Sequence, residues 1–110
     1  MAASRYLEVL KERVLVFDGA MGTSIQALGL TAADYGGPGL EGCNDYLVLS
    51  RPDAIEAIHA SYLEAGCDVI ETNTFRSNGL TLREWGLEGR VVELNRAAAA
   101  LARRVADRFS

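Results

Sequence analysis

Residues 14–24 read Val-Leu-Val-Phe-Asp-Gly-Ala-Met-Gly-Thr-Ser, and the fold prediction starts from this stretch. Its first four residues are apolar and mostly β-branched or aromatic, which is typical of a strand buried on both faces of a parallel sheet. Asp18 is the first polar residue after them, and Gly19 and Gly22 permit positive φ before a helix that is predicted over residues 23–28. The stretch therefore predicts a strand, an acidic turn and a helix.

The turn after this strand has the chemistry to hold a small zwitterion. The carboxylate of Asp18 suits an ammonium group, and the exposed amides that follow it suit an anion. Residues 67–75 are predicted to form a second strand, and the polar residues of its end are Glu71, Thr72, Asn73 and Thr74. Because the carboxyl ends of parallel strands share one edge, where α/β proteins build their sites, we expect these residues near Asp18.

Apolar spacing predicts helices for most of the remaining chain. The segments with helical periodicity are residues 2–13, 51–65, 78–85 and 88–108. The helix over residues 51–65 has the clearest end signals, with Ser50 as its N-cap, Asp53 closing a capping box and Gly66 after its last turn. His59, beside its apolar side, is interpreted as a packing residue rather than a ligand. The glycine-rich residues 30–43 are predicted to form a long loop.

Two parallel strands and their helices make a poor sheet, because both strands keep an exposed edge. We therefore expect the chain to be a fragment of a larger α/β unit, or to be completed by another polypeptide. The alternative is a small, self-sufficient helical domain with two strands.

The composition is that of an ordinary folded protein. Of 110 residues, 49% are hydrophobic and 24% are charged, which argues against disorder. A net charge of −4 argues against a nucleic-acid partner. No apolar stretch approaches the ~20 residues that cross a membrane, and a signal-peptide pattern is lacking, so we expect no membrane partner and a cytoplasmic location. Cys43 and Cys67 have no paired spacing and are expected to be free thiols.

Two motifs resemble those of the homocysteine methyltransferase family: Asp-Gly-Ala-Met-Gly-Thr at residues 18–23 and Glu-Thr-Asn-Thr-Phe at residues 71–75. The resemblance includes Asn-Asp at residues 44–45 and extends over residues 13–106. It is closest to the members that take their methyl group from methylcobalamin. It implies that residues 1–110 are the opening part of a homocysteine-binding (β/α)8 TIM barrel, with a leading helix, two parallel strands and their helices.

The resemblance implies a substrate-binding role for residues that follow the two predicted strands. The residues expected to hold the amino acid end of homocysteine are Asp18, Gly19, Ala20 and Met21, with Thr72 or Thr74. Glu71 is expected to be a buried structural acid paired with a neighbouring strand or helix, and Asn73 a loop organiser at the barrel rim, and both are expected to support the substrate-binding residues. The resemblance assigns no catalytic residue and no metal ligand to this chain.

In this family the substrate thiol reacts as a thiolate on zinc, which is held by three cysteines that include an adjacent pair. This chain has no such pair, and Cys43 precedes an asparagine whereas the family's isolated ligand follows one. The resemblance thus implies that zinc, cobalamin and methyltetrahydrofolate bind to the remainder of the barrel and to further modules of the complete protein. The 110 residues alone are expected to be inactive in making methionine and to bind no zinc.

Other functions stay open at this point. The chain could serve a homocysteine methyltransferase with a different methyl donor, or a noncatalytic module whose sheet edges recruit another polypeptide. A phosphate or nucleotide binder is a further alternative. Against it, the turn lacks the G-x-G-x-x-G and G-K-[ST] spacings, and Asp18 would repel an anion.

Overall fold

The computed structural model describes residues 5–109, whose regular elements are all helical. The α-helices are α1 (Arg5–Leu10), α2 (Met21–Ala27), α3 (Leu47–Ser50), α4 (Pro52–Glu64), α5 (Gly79–Leu82) and α6 (Val91–Arg108). Single turns of 3-10 helix lie at Pro38–Leu40, Asn44–Tyr46, Arg83–Trp85 and Glu88–Arg90. Among residues 5–109, none of the helices is both long and apolar enough to span a bilayer.

The core lies where α6 packs against α3 and α4. Apolar residues of α6 recur at helical spacing, so that one face is buried along its length; they are Leu94, Ala98, Leu101 and Val105. Ile55 and Ile58 of α4 are buried in the same cluster, together with Ile25 of α2. Each fully buried aliphatic side chain of this kind contributes about 1.5–3 kcal/mol.

The predicted α/β class is wrong for the part of the chain that the structure describes. Residues 5–109 contain no strand and no sheet, and so do not show the expected barrel section with two parallel strands. The two predicted strands are instead irregular segments joined by a single parallel bridge between Phe17 and Val69. In it the Asp18 N–H donates to the Val69 carbonyl at 2.9 Å, and the Val69 N–H donates to the Val16 carbonyl at 3.2 Å.

Side-chain carboxylates explain why the pairing stops after one bridge. On one side of it, Asp68 Oδ2 accepts the Val16 N–H at 2.9 Å, and on the other the Asp18 carboxylate accepts the Glu71 N–H. Such bonds compete with a backbone ladder for the same donors. The first segment also lacks cover, since Val14 is 83% exposed, and strand preference depends on packing neighbours.

The helix over residues 51–65 is confirmed as α4, but its predicted cap is wrong. Ser50 is the last residue of α3, and its hydroxyl has no hydrogen-bond partner among the described residues. Asp53 binds the Arg51 guanidinium, with an Nε to Oδ1 distance of 2.9 Å, and closes no capping box. The end signal is confirmed, because Gly66 follows the helix with a φ of 107°.

The other predicted helices are present with shifted bounds. The described part of the leading helix is α1, and residues 2–4 of that prediction lie outside the described residues. The helix predicted from residue 23 begins at Met21. The helix over residues 78–85 is split into α5 and a 3-10 turn, and that over residues 88–108 begins with a 3-10 turn before α6. Residues 30–43 form a loop of turns, as predicted, with one 3-10 turn.

Candidate functional site

A cavity of about 430 Å³ lies between the turn after the first extended segment and the residues that end the second. Its walls are formed by residues 18–22, 42–45, 71–73, 75–76, 81–82 and 85. This volume falls within the range of sites for small molecules. The cavity therefore joins parts of the chain that are more than fifty residues apart.

All of the predicted site residues except Thr74 line this cavity. Thr74 does not line the cavity, and its hydroxyl is 2.7 Å from that of Thr72. Glu71 is exposed, so the expectation that it is a buried acid is wrong. Asn73 is buried. The arrangement brings the two predicted groups of residues together without a sheet, and their binding roles stay predictions.

Asp18 is half-buried in the cavity wall, and its carboxylate is only partly used by the protein. Both carboxylate oxygens accept the same donor, the Glu71 N–H, at 3.2 Å each. None of the ion pairs found in residues 5–109 involves Asp18. Since each ionised carboxylate oxygen has two lone pairs, the group can still accept hydrogen bonds from a ligand ammonium.

The turn that follows Asp18 obtains its shape from an alanine. Ala20 has a φ of 32° and a ψ of 50°, in the left-handed region. Gly19 and Gly22, which permit positive φ, do not adopt it. Left-handed backbone costs a residue with a side chain roughly 1–2 kcal/mol. The Ala20 carbonyl accepts the Ser24 N–H at 3.0 Å, which holds this conformation against the start of α2.

Sequence reasoning missed the residues of the loop at 42–45 as part of the site. Asp45 is 6% exposed, and its Oδ2 accepts the Arg76 N–H at 3.0 Å and the Ser77 hydroxyl at 2.6 Å. The backbone carbonyl of Asn44 accepts from Asn73 Nδ2 at 2.9 Å. These partners are about thirty residues away along the chain, so local spacing did not predict the contacts. The signal that could have found them is the Asn-Asp pair at residues 44–45, which belongs to the family resemblance but was given no role in the site.

The two cysteines differ in their surroundings. Cys43 lines the cavity and is 3% exposed, and burial raises the pKa of its thiol, which favours the protonated form. Cys67 is half-buried outside the cavity, and burial also raises the pKa of its thiol. Both are free thiols, as predicted. Residues 5–109 contain no group of three His, Cys, Asp or Glu residues placed to hold a metal ion, so these residues do not fit a zinc site.

His59 lies on the inner side of α4 and has no exposed surface. Neither ring nitrogen has a hydrogen-bond partner among the described residues, and the side chain does not line the cavity. Burial lowers the pKa of this imidazole, while the charges of Asp18 and Glu56 act in the opposite direction. This placement agrees with its interpretation as a packing residue.

Comparison with known proteins gives a consistent set of relatives. Residues 15–110 match the family model described as homocysteine S-methyltransferase. The chain is 50% identical over 101 residues to a methionine synthase of Mycobacterium tuberculosis (strain ATCC 25618 / H37Rv). The matched region covers 92% of this chain and 8% of that protein. It is 46% identical over 104 residues to a methionine synthase of Mycobacterium leprae (strain TN), and this matched region covers 94% of this chain and 8% of that protein.

The chain thus spans less than a tenth of the length of these two relatives. The family match, by contrast, extends over nearly all of it and includes every residue that lines the cavity. On that match, the chain belongs to the homocysteine S-methyltransferase family.

Proposed function

We propose that this chain is part of a methionine synthase and holds the amino acid end of homocysteine. Identity of 50% to a protein of that name supports the reaction, which transfers a methyl group to the homocysteine sulfur and gives methionine. The observation that carries the binding role is that the Asp18 turn and residues 71–73 line one cavity of about 430 Å³.

In this proposal Asp18 accepts hydrogen bonds from the substrate ammonium. Charge-assisted hydrogen bonds are about twice as strong as neutral ones, and Asp18 has no competing cation among its described neighbours. The backbone amides of Gly19, Ala20 and Met21 donate to the substrate carboxylate. Ala20 is the N-cap and Met21 the first residue of α2, so their N–H groups have no acceptor within the helix, and Gly19 directly precedes them.

The Thr72 hydroxyl is the proposed contact from the opposite wall. It lines the cavity, whereas Thr74 does not, and the bond of 2.7 Å between their hydroxyls orients it. Glu71 contributes its backbone N–H to Asp18, and Asn73 fixes the wall through Asn44. None of these residues takes part in bond making at the sulfur.

The complete enzyme is proposed to use zinc and cobalamin, with 5-methyltetrahydrofolate as the source of the methyl group. The described residues do not fit a zinc site, so we place the zinc ligands outside residues 5–109. The cobalamin and folate modules are proposed, from the family resemblance, to be further parts of the complete protein. The role of this chain is therefore to bind and orient the substrate. The proposal also places the enzyme in the cytoplasm.

Replacing Asp18 with Asn in the complete protein tests this binding role. Asparagine keeps an oxygen that can accept the Glu71 N–H, so the turn is retained while the charge is lost. We expect homocysteine to bind more weakly by about 1.5–3 kcal/mol, which is a roughly tenfold or greater rise in the dissociation constant. Isothermal titration calorimetry measures this directly.

The matched control is Asp53→Asn, since Asp53 is an exposed acid that pairs with Arg51 and does not line the cavity. It should leave homocysteine affinity unchanged. Equal affinities for the wild type and Asp18→Asn would refute the role of Asp18.

A further inference from the structure

The wall segment, residues 71–77, lacks helix and strand. Within it the Thr74 N–H donates to the Thr72 carbonyl and the Ser77 N–H to the Thr74 carbonyl, while the N–H groups of Glu71 and Arg76 have acceptors outside it. At its start, the Glu71 N–H donates to the Asp18 carboxylate at 3.2 Å. At its end, the Arg76 N–H donates to Asp45. Two acidic side chains from different loops therefore hold the two ends of one wall.

Asp45 is the more deeply buried of these two acids. It is 6% exposed, and the same oxygen, Oδ2, accepts both the Arg76 N–H at 3.0 Å and the Ser77 hydroxyl at 2.6 Å. Asp45 forms none of the ion pairs found in residues 5–109. A buried carboxylate is costly unless it is hydrogen-bonded, so its retention here depends on these two donors.

Further bonds brace the same junction from both sides. Asn73 Nδ2 donates to the Asn44 carbonyl at 2.9 Å, next to Asp45 in the chain. Asn95 Nδ2 of α6 donates to the Ser77 carbonyl at 2.8 Å and to the Val91 carbonyl of its own helix at 2.8 Å. The wall is thereby tied to the longest helix of the core.

We propose that Asp45 is a positioning residue for homocysteine, which fixes residues 76–77 and so sets the separation between the wall and the Asp18 turn. This inference rests on the proposed function, because it takes the cavity to be the homocysteine site. Without the Asp45 carboxylate, the Arg76 N–H and the Ser77 hydroxyl lose their acceptor, and the wall moves to regain one. Displacement of a positioned group by about 1 Å can cost up to ~100-fold in activity.

The test compares Asp45→Ala and Asp45→Asn in the complete protein, with steady-state kinetics in both substrates. Alanine removes the acceptor, whereas asparagine can present one oxygen to both donors. We expect Asp45→Ala to raise KM for homocysteine about tenfold, by displacing groups that only bind the amino acid. Asp45→Asn should restore KM to within about threefold of wild type, and kcat and KM for the methyl donor should change little in both.

Ser77→Ala is a second variant that keeps the Arg76 bond and removes only the hydroxyl donor. It should raise KM for homocysteine in the same direction but less than Asp45→Ala, and it decides the question if Asp45→Ala does not fold. Asp53→Ala removes an exposed acid outside the cavity and serves as the control. Circular dichroism and the thermal midpoint establish that each variant is folded.

An unchanged KM for homocysteine in folded Asp45→Ala and in Ser77→Ala overturns the positioning role. Parallel losses for both substrates overturn it as well, because they indicate general damage to the fold. Absence of homocysteine turnover by the wild-type protein refutes the proposed function instead. Failure of the two proposals is thus distinguishable.

Discussion

The packed pair α4 and α6 satisfies its own backbone within helices, whereas the walls of the cavity depend on side chains from distant loops. In the helical region, residues such as Leu94 and Leu101 are removed from water, and apolar burial supplies the stability. In the cavity region, Asp18 and Asp45 accept backbone N–H groups that no helix or sheet satisfies. We infer that substitutions at the exposed positions of α4 and α6 leave the core stable. The shape of the cavity, in contrast, depends on single carboxylates.

The largest expected effect comes from breaking the helical region at Leu101. This side chain is 1% exposed in the face of α6 that packs against the core. Leu101→Ala removes buried methyl groups and leaves a cavity, so we expect a loss of about 2–5 kcal/mol in the free energy of unfolding. Urea denaturation of the complete protein, followed through the transition that includes this region, measures it.

Val92→Ala is the matched change on the outer side of the same helix, where Val92 is 67% exposed. It should alter the free energy of unfolding by no more than about 0.5 kcal/mol. Equal effects at the two positions would show that α6 does not pack as described.

An effect of intermediate size on stability is expected at His59 of α4, whose pKa is influenced by the charge of Asp18. Because burial lowers the pKa of this imidazole below its ordinary value of 6.5, the unfolded chain binds a proton that the folded chain does not. Its contribution to stability is therefore present above pH 6.5 and is lost as the pH falls toward the folded pKa. In His59→Leu, the thermal midpoint should therefore change less between pH 7.5 and about 5.5 than it does in the wild type.

The acids Asp18 and Glu56 favour the protonated ring, and so they reduce the size of the loss. The same pH dependence in wild type and in His59→Leu would contradict a neutral, buried His59.

The smallest effect is expected at the ion pair that joins α4 and α6 at the surface. Arg104 Nη2 lies 3.1 Å from Glu56 Oε1, and the Arg104 side chain is 59% exposed. Solvent and salt screen such pairs, so a double-mutant cycle of Arg104→Met and Glu56→Gln should give a coupling energy of no more than about 1 kcal/mol. A larger coupling would mean that charge, and not only apolar burial, holds the two helices together.

Local signals predicted the helices well and the extended segments poorly. The apolar periodicity of α6 and the glycine after α4 are both visible in residues that are close in sequence. The bounds of α6 and the end of α4 were therefore predicted to within a few positions. A strand needs a partner backbone, and the apolar run at residues 14–17 does not show that Asp68 takes one of its N–H groups.

The candidate site follows the same division between local and distant information. The turn at Asp18 was predicted because its acid and amides are consecutive, and it lines the cavity, while its binding role stays a prediction. Asp45 was not recognised as part of the site, since its partners are 31 and 32 residues away along the chain. Only the folded chain shows that it supports the opposite wall.

The left-handed conformation of Ala20 has a consequence for the entropy of binding. A glycine would adopt a φ of 32° without strain, but its backbone would also reach many other conformations. Alanine is strained in this conformation by roughly 1–2 kcal/mol, and the bond from the Ser24 N–H to the Ala20 carbonyl holds it there, so the cost is met during folding, before any ligand arrives. A molecule that binds to these amides therefore meets donors that are already aligned, and its association sacrifices little backbone freedom.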